Sequence, residues 1–314
     1  MSLPPAILLI GATASGKSTL GLAIQARFPV EIISMDSALV YRGMNIGTAK
    51  PSADVLQKVP HHLIDILEPT QSYSVAHFRD DALRIMADIH ARQRIPMLVG
   101  GTMLYAKSLL YGLDKLPSAQ PTIRAQINSE AQQQGWPAMH HKLAQLDPIT
   151  AARLSIHDAQ RIQRALEVHA ITGNPLSSLF KLQKAPPFPY RVLKLGLLFS
   201  DRTALHTRIA TRFANMLQEG LVDEVRQLLQ TYPSLDARST SMRCVGYRQV
   251  LQYLSGDYAQ DTLLDRGIFA TRQLAKRQLS SLRAMPDMTV IDCLQTDWQD
   301  VAFSAVQEFT LARH

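Results

Sequence analysis

Residues Ala6–Ser18 read AILLIGATASGKS. The apolar run Ala6–Ile10 predicts a short buried strand. The run Gly11-Ala12-Thr13-Ala14-Ser15-Gly16-Lys17-Ser18 then satisfies G-x-x-x-x-G-K-[ST] at every fixed position. TLGLAIQARF follows, with Leu20, Ile24 and Phe28 four apart, and predicts a helix. Strand, glycine loop and helix is the setting in which this pattern means phosphate binding rather than a chance Gly/Ser turn. Gly11 and Gly16 let the backbone curl so that successive N–H groups point inward at phosphate oxygens. Lys17 adds a point charge, and the Ser18 hydroxyl suits a magnesium ion. A diphosphate or a triphosphate is therefore the expected ligand.

A length of 314 residues allows one large domain or two, and 46% apolar residues supply a core. The formal charge of +7 suggests an anionic partner larger than a nucleotide, such as RNA; a basic enzyme without one is the alternative. The two cysteines, Cys244 and Cys293, stand far apart without a CxxC. They exclude a cysteine-rich zinc site and suit a reducing cytoplasm. No apolar stretch reaches the ~18 residues of a membrane helix, and the N-terminal run belongs to the first strand, so neither signal peptide nor membrane span is expected.

VEIISMDS (Val30–Ser37) predicts a second strand with Asp36 at its carboxyl end, where open α/β sheets bind ligands. LVYRGMNIGTAKP is a loop, PHHLIDI (Pro60–Ile66) returns to strand, and SYSVAHFRDDALRIMADIHARQR is a helix with Phe78, Leu83, Ile85, Met86 and Ile89 on its apolar face. RIPMLVGGT is a strand running into Gly100-Gly101, with Thr102 beyond, and TMLYAKSLLYG is a helix. From Leu116 the chain turns rich in Gln, Ala and His, which predicts three or four helices. The clearest runs AQRIQRALEVHAIT from an Asp158 N-cap, with Ile162, Leu166 and Ala170 inward and Gly173-Asn174-Pro175 as its stop. The α/β pattern resumes at RVLKLGLLFS (Arg191–Ser200). The expected architecture is an α/β fold, a P-loop NTPase-like parallel sheet flanked by helices, with an all-helical inserted domain: core 1–115 and 190–314, insertion 116–189. In the second core segment, Leu205, Ile209, Phe213 and Leu217 mark a helix that Gly220 divides from the next, and TVIDCL is a last strand. TRQLAKRQLSSLRAMP is a helix whose Arg272, Lys276 and Arg283 form a basic stripe, either solvated or facing nucleic-acid phosphates.

Such a loop serves several chemistries. A GTP switch would show N-K-x-D, which is absent. A motor would end an apolar strand in a magnesium-gripping carboxylate, whereas RIPMLVGGT ends in glycines. A small-molecule kinase stays open, since IISMD could serve it and the insertion carries Arg124, Arg153, Arg161 and Arg164 as a possible lid. A non-enzymatic RNA-binding protein also stays open. In the remaining alternative the loop holds a leaving group: a nucleophile attacks C1 of an alkyl diphosphate, cations take up the charge on the departing oxygens, and a carboxylate acts as base. Asp36 is the carboxylate best placed for that; magnesium outer-shell binding or loop capping is its other possible role.

GATASGKS, DSALVYRGMNIGTAKP, PHHLIDI, SYSVAHFRDDAL, GGTMLY, HDAQRIQRALEV, GLVDEV, VGYRQ and TRQLAKRQLSSLR occur in this order over nearly the whole chain. Together they resemble the bacterial tRNA dimethylallyltransferase (tRNA isopentenyltransferase, IPP transferase) family. The resemblance implies an enzyme, a prenyltransferase acting in tRNA modification. It would move a dimethylallyl group from dimethylallyl diphosphate to N6 of adenosine at position 37 of tRNA, leaving N6-dimethylallyladenosine and diphosphate. Mg2+ would be its cofactor, the tRNA anticodon stem-loop its partner and the cytoplasm its location, with no membrane and as a monomer. ATP or another nucleotide remains a competing ligand of the loop.

Carried over residue by residue, the resemblance gives Gly11, Ala12, Thr13, Ala14, Ser15, Gly16, Lys17 and Ser18 to the diphosphate, with Thr13–Ser18 closest and magnesium on Ser18. Asp36 would take the proton of the amine, with Thr102 hydrogen-bonding the reacting region and Lys17 assisting. Arg226 is a candidate for the diphosphate oxygens or an ordinary surface arginine. Asp36, Ser37, Ala38, Leu39 and Thr102 would lie beside the target base. Arg124, Gln160, Arg161, Ile162, Gln163 and Arg164 of the insertion, and Arg243, Cys244, Val245, Gly246, Tyr247 and Arg248, would meet the anticodon arm. The target base would be flipped into a channel between the two domains. Tyr41 and Tyr247 would either stack on neighbouring bases or pack in the core. The chain departs from the family pattern at Leu39, where Gln is common, at Asn45 and at His77, where Asp is common. Leu39 removes an amide that could read the purine edge. His61 and His62, without a third ligand nearby, read as structural.

Overall fold

In β1 (Pro5–Gly11), Ile7 and Leu9 point to one face of a sheet while Ala6, Leu8 and Ile10 point to the other, and all are essentially inaccessible to water. A strand buried on both faces needs helices above and below it, and parallel sheets are built that way. The computed structural model describes residues 3–113, 116–179 and 187–312. Its elements in order are β1, α1 (Lys17–Arg27), β2 (Val30–Met35), α2 (Ala53–Lys58), β3 (His61–His62), α3 (Val75–Ala91), β4 (Ile95–Gly100) and α4 (Met103–Tyr111). Then come α5 (Pro121–Gln134), α6 (Trp136–Leu146), α7 (Pro148–Ala151), α8 (Ala159–Thr172) and α9 (Leu176–Leu179). The chain returns with β5 (Arg191–Leu198), α10 (Arg202–Gln218), α11 (Leu221–Thr231), a single turn at Ser241–Arg243, α12 (Tyr247–Leu254), α13 (Gln260–Arg283), β6 (Thr289–Asp292) and α14 (Trp298–Leu311).

The six strands form one sheet in the order β3-β2-β4-β1-β5-β6, and every pairing is parallel. β1 sits inside, with Ile10 opposite Gly100 of β4 on one side and Gly196 of β5 on the other. The chain leaves β1 toward β2 on one side and leaves its neighbour β4 toward β5 on the other, so a crevice opens between the carboxyl ends of β1 and β4, where the strand order reverses. One face of the sheet is covered by α1, α10, α13 and α14 through Leu20, Ile24, Leu205, Ile209, Ala275 and Phe303. The other is covered by α3 and α4 through Phe78, Ile85, Met86, Ile89, Tyr105 and Leu109.

The chain divides into two compact units, one reaching to Leu110 and resuming at Phe188, the other Tyr111–Pro187. The second holds helices alone among its described residues: α5, α6 and α8 with the single turns α7 and α9. Its core is Ile127, Met139, Leu143, Ile162, Ala165, Leu166 and Val168. Ala170, expected inward, is exposed. Its charged centre is Glu167, whose side chain is 0% exposed. Arg124 donates to it at 2.9 and 3.2 Å, Arg164 at 2.7 Å and the Gln120 N–H at 2.9 Å. Burial raises the Glu167 carboxyl pKa, but these donors outweigh it and hold the carboxyl below its usual range.

The segment Pro60–Ile66 pairs with the sheet only at His61–His62, because Leu63 and Asp65 take positive φ and turn the chain away. The histidines are tied locally: His61 Nδ1 donates to the Val59 carbonyl at 2.8 Å, and His62 Nε2 meets Glu31 at 3.1 Å. Among the described residues no three His, Cys, Asp or Glu side chains gather as a metal site.

Candidate active site

The glycine loop leaves β1 and enters α1 through two left-handed residues, Ala14 at φ 63° and Gly16 at φ 88°. Gly16 has no Cβ to resist this, and it starts the helix without a side-chain cap, so the N–H groups of the first turn are open to an anion. The loop is braced internally by Ser15 N–H donating to Ala12 O at 3.2 Å. Lys17 Nζ donates to the same carbonyl at 3.2 Å. Burial pushes the Lys17 ammonium down to about 8; Asp36 pulls it up, and Arg212 adds to the fall.

The carboxyl ends of β2 and β4 are locked together beside the loop. Gly100 comes so close to β2 that a Cβ there would lie 2.0 Å from the Met35 carbonyl. That approach lets Thr102 N–H donate to Met35 O at 3.3 Å, while the Thr102 hydroxyl accepts the Ser37 N–H at 3.1 Å. Between these anchors Asp36 closes a turn, its Oδ1 accepting the Ala38 N–H at 2.9 Å. Its second carboxylate oxygen has no partner among the hydrogen bonds of the described residues.

Loop, strand ends, α10, α13 and the turn before α12 enclose one cavity of about 650 Å³. Asp36 is the one carboxylate among its described lining residues, faced by Lys17, Arg212, Arg243 and Arg277. The rest is mixed, with an apolar part made by Val99, Met103, Ile209, Phe213, Met216 and Leu274. Cys244 also lines it; burial, reinforced by the Asp36 charge, pushes its thiol up to about 12, so it stays protonated at neutral pH.

Of the residues singled out from sequence, Thr13, Lys17, Ser18, Asp36, Ser37, Ala38, Leu39, Thr102, Arg243, Cys244, Val245 and Gly246 share this cavity. Gly11, Ala12, Ala14, Ser15 and Gly16 form the loop behind it without lining it. Arg226 is elsewhere: it is half exposed on α11, paired with Asp223 at 2.8 Å. The arginines beside the loop come one helix earlier. Arg212 lines the cavity, and a Cβ on Gly16 would lie 3.6 Å from the Arg208 guanidinium. Tyr41 and Tyr247 are 0% exposed and belong to the core, the packing alternative to base stacking. Arg248 points to solvent from α12. In the insertion, Ile162 is core, Arg124 and Arg164 are committed to Glu167, and Gln163 donates to Asn128 at 2.5 Å. Only Gln160 and Arg161 are exposed, and Arg161 leans on Asp158 at 2.9 Å.

A family model described as IPP transferase matches residues 39–285. The chain belongs to the IPP transferase family. A tRNA dimethylallyltransferase of Methylobacillus flagellatus is 55% identical over 99% of both chains, and one of Bordetella pertussis is 56% identical over 93% of both. A full-length tRNA isopentenylpyrophosphate transferase structure from Bacillus halodurans superposes with TM-score 0.69 at 32% identity, covering 98% of each chain. A eukaryotic dimethylallyltransferase acting on tRNA superposes with TM-score 0.81 at 25% identity, over 99% of this chain and 80% of that one.

In this member of the IPP transferase family two further side chains, neither singled out from the sequence, tie the elements around the cavity together. Glu224 accepts the N–H groups of Asn45, Ile46 and Gly47 at 2.9, 2.8 and 3.3 Å and the Tyr247 hydroxyl at 2.5 Å. It thereby ties the loop after β2 to α11 and α12. Because only the backbone of residue 45 is used, Asn in place of Asp leaves this tie intact. Gln278 of α13 accepts the Thr13 N–H and donates to the Gly101 carbonyl, both at 2.9 Å. The pairing of GLVDEV with RGMNIGT, two charged or amide-bearing strings around loops, was the available signal for Glu224. Gln278 offered none, since its partners are backbone groups.

Proposed function

We propose that this protein transfers a dimethylallyl group from dimethylallyl diphosphate to N6 of adenosine at position 37 of tRNA, releasing diphosphate. Relatives named tRNA dimethylallyltransferase over nearly the full chain support the transferase activity and the tRNA substrate. The observation that carries the chemistry is a single cavity in which one carboxylate faces an uncapped helix start, four cations and an apolar wall.

The diphosphate sits on the loop amides and the α1 N-terminus, with Lys17 and Arg212 on its oxygens. The five-carbon group lies along Ile209, Phe213 and Leu274. The adenosine, extruded from its loop, presents its exocyclic amine to Asp36. As the N6–C1 bond forms, the C1–O bond breaks and its electron pair leaves with the diphosphate, while the amine proton passes to the free oxygen of Asp36. The Ala38 N–H on Oδ1 and the Ser37–Thr102 bond hold that carboxylate in place. The Ser18 hydroxyl would hold magnesium beside the diphosphate; among the described residues no carboxylate cluster gathers to bind an ion by itself. The ion would supply further charge neutralisation on the leaving group. One chain carries every residue used, which supports, without requiring it, action as a monomer, and the cytoplasm is the location that suits a tRNA substrate. Arg243, Arg277 and the exposed Gln160 and Arg161 are the candidate RNA contacts.

Incubation with dimethylallyl diphosphate, magnesium and unmodified tRNA, followed by nucleoside analysis, tests this. N6-dimethylallyladenosine and one diphosphate per transfer are expected. Phosphate transfer from ATP to a small molecule, with no isoprenoid on RNA, would contradict it.

A further inference from the structure

We infer that Gln278 tunes the glycine loop to a diphosphate and against longer phosphate chains, by occupying the amide of Thr13. This rests on the diphosphate reading of the loop. Gln278 lies on the cavity wall, 265 residues along the chain from Thr13. Its Oε1 accepts the Thr13 N–H and its Nε2 donates to the Gly101 carbonyl. Each backbone partner has a single role, so the orientation of the amide is fixed by its surroundings. Gly101 is matched to it: a Cβ there would lie 2.5 Å from Nε2. A carboxylate could accept from Thr13 but could not donate to Gly101, and a methionine could do neither.

Ser15 N–H is spent on Ala12 O, so among the hydrogen bonds of the described residues the open amides of the loop are that of Ala14 and those that start α1, beside Lys17. A phosphate chain seated there meets its next donors back along the loop, toward Thr13. That N–H is already donated. A diphosphate is held by the helix start, Lys17 and Arg212, whereas a third phosphate group arrives where the donor is committed. Gln278 acts through Thr13 and is a positioning residue.

Titration calorimetry with inorganic diphosphate and inorganic triphosphate, each with magnesium, tests this on the full-length protein. The wild type is expected to bind diphosphate at least about tenfold more tightly than triphosphate. Q278M frees the Thr13 N–H, and the preference should shrink on the order of tenfold, the worth of one hydrogen bond to a charged acceptor. Where Q278M does not fold, Q278L makes the same measurement. Q278E keeps the acceptor and should keep the preference while weakening both ligands through its charge. An unchanged preference in the apolar variants, its loss in Q278E, or its absence in the wild type would overturn the inference. If the wild type transferred no prenyl group, the proposed function would fail while this ratio stayed measurable; a failed ratio with transfer intact removes only the role of Gln278.

Discussion

The Thr102 hydroxyl accepts the backbone N–H of Ser37 at 3.1 Å, binding the end of β4 to the residue after Asp36. The Asp36 carboxylate is therefore aimed by a hydroxyl that stands 65 residues beyond its neighbour Ser37. Thr102→Val keeps the shape and removes the acceptor. Transfer should fall by about tenfold to a hundredfold in kcat, the range expected when a reacting group is misplaced without being lost. Thr102→Ser should restore most of it. Steady-state kinetics of the two variants make the comparison.

Lys17 gives a pH dependence. Its ammonium is pushed down to about 8 by burial, against Asp36, before any ligand is present. The charged form grips an anion and the neutral form does not. Thus kcat/KM for the diphosphate donor should decline as pH rises through about 8. In the complex the bound anion stabilises the ammonium, so kcat should hold to higher pH. Lys17→Arg should move the decline in kcat/KM upward while keeping some activity. A pH profile of both constants checks this.

The two arginine candidates separate cleanly. Arg212 lies within the cavity, its own pKa lowered chiefly by burial and raised partly by Asp36. Arg212→Ala should cost about 2–4 kcal/mol of transition-state stabilisation, as loss of a preorganised leaving-group contact does. Arg226→Ala removes an exposed pair with Asp223 and should leave kcat/KM within twofold to threefold of the wild type. Parallel kcat/KM measurements decide.

Glu167 sets the stability of the helical unit. Removing it strands two arginines, which costs ~3–5 kcal/mol for a fully buried pair. Arg124 is 43% exposed and can rehydrate, so Glu167→Ala should fall at the low end of that range. Since the folded carboxyl lies below its ordinary value, its stabilisation is complete above the unfolded pKa of about 4.3 and is lost as pH falls through the folded one. Denaturation followed by Trp136 in a Trp298→Phe background should show the wild-type unit weakening below about pH 4, and Glu167→Gln losing that dependence.

The glycine loop and Asp36 were legible because local pattern determines them: fixed glycines before a helix, and a carboxylate ending an apolar strand. The helical insertion was legible in composition, at 116–189 against a unit at 111–187. Arg212 was hidden because it runs beside the apolar stripe of Ile209 and Phe213, where the sequence shows a helix edge and not what faces it. That Arg124 and Arg164 meet on Glu167 was not legible, because sequence reports a charge and not its buried counter-ion. Tyr41 and Tyr247 likewise show their burial only once α10–α12 pack over them. Gln278 acts through backbone groups of Thr13 and Gly101, which leave no mark in a residue string.

The most direct measurement is the single-turnover rate of Asp36→Asn with saturating dimethylallyl diphosphate and tRNA. The amide keeps the Ala38 hydrogen bond through its oxygen but cannot take the amine proton. The rate should drop by about 10²–10⁴, with the dissociation constant for tRNA changed by no more than about threefold. A rate within a few-fold of the wild type would contradict Asp36 as the base.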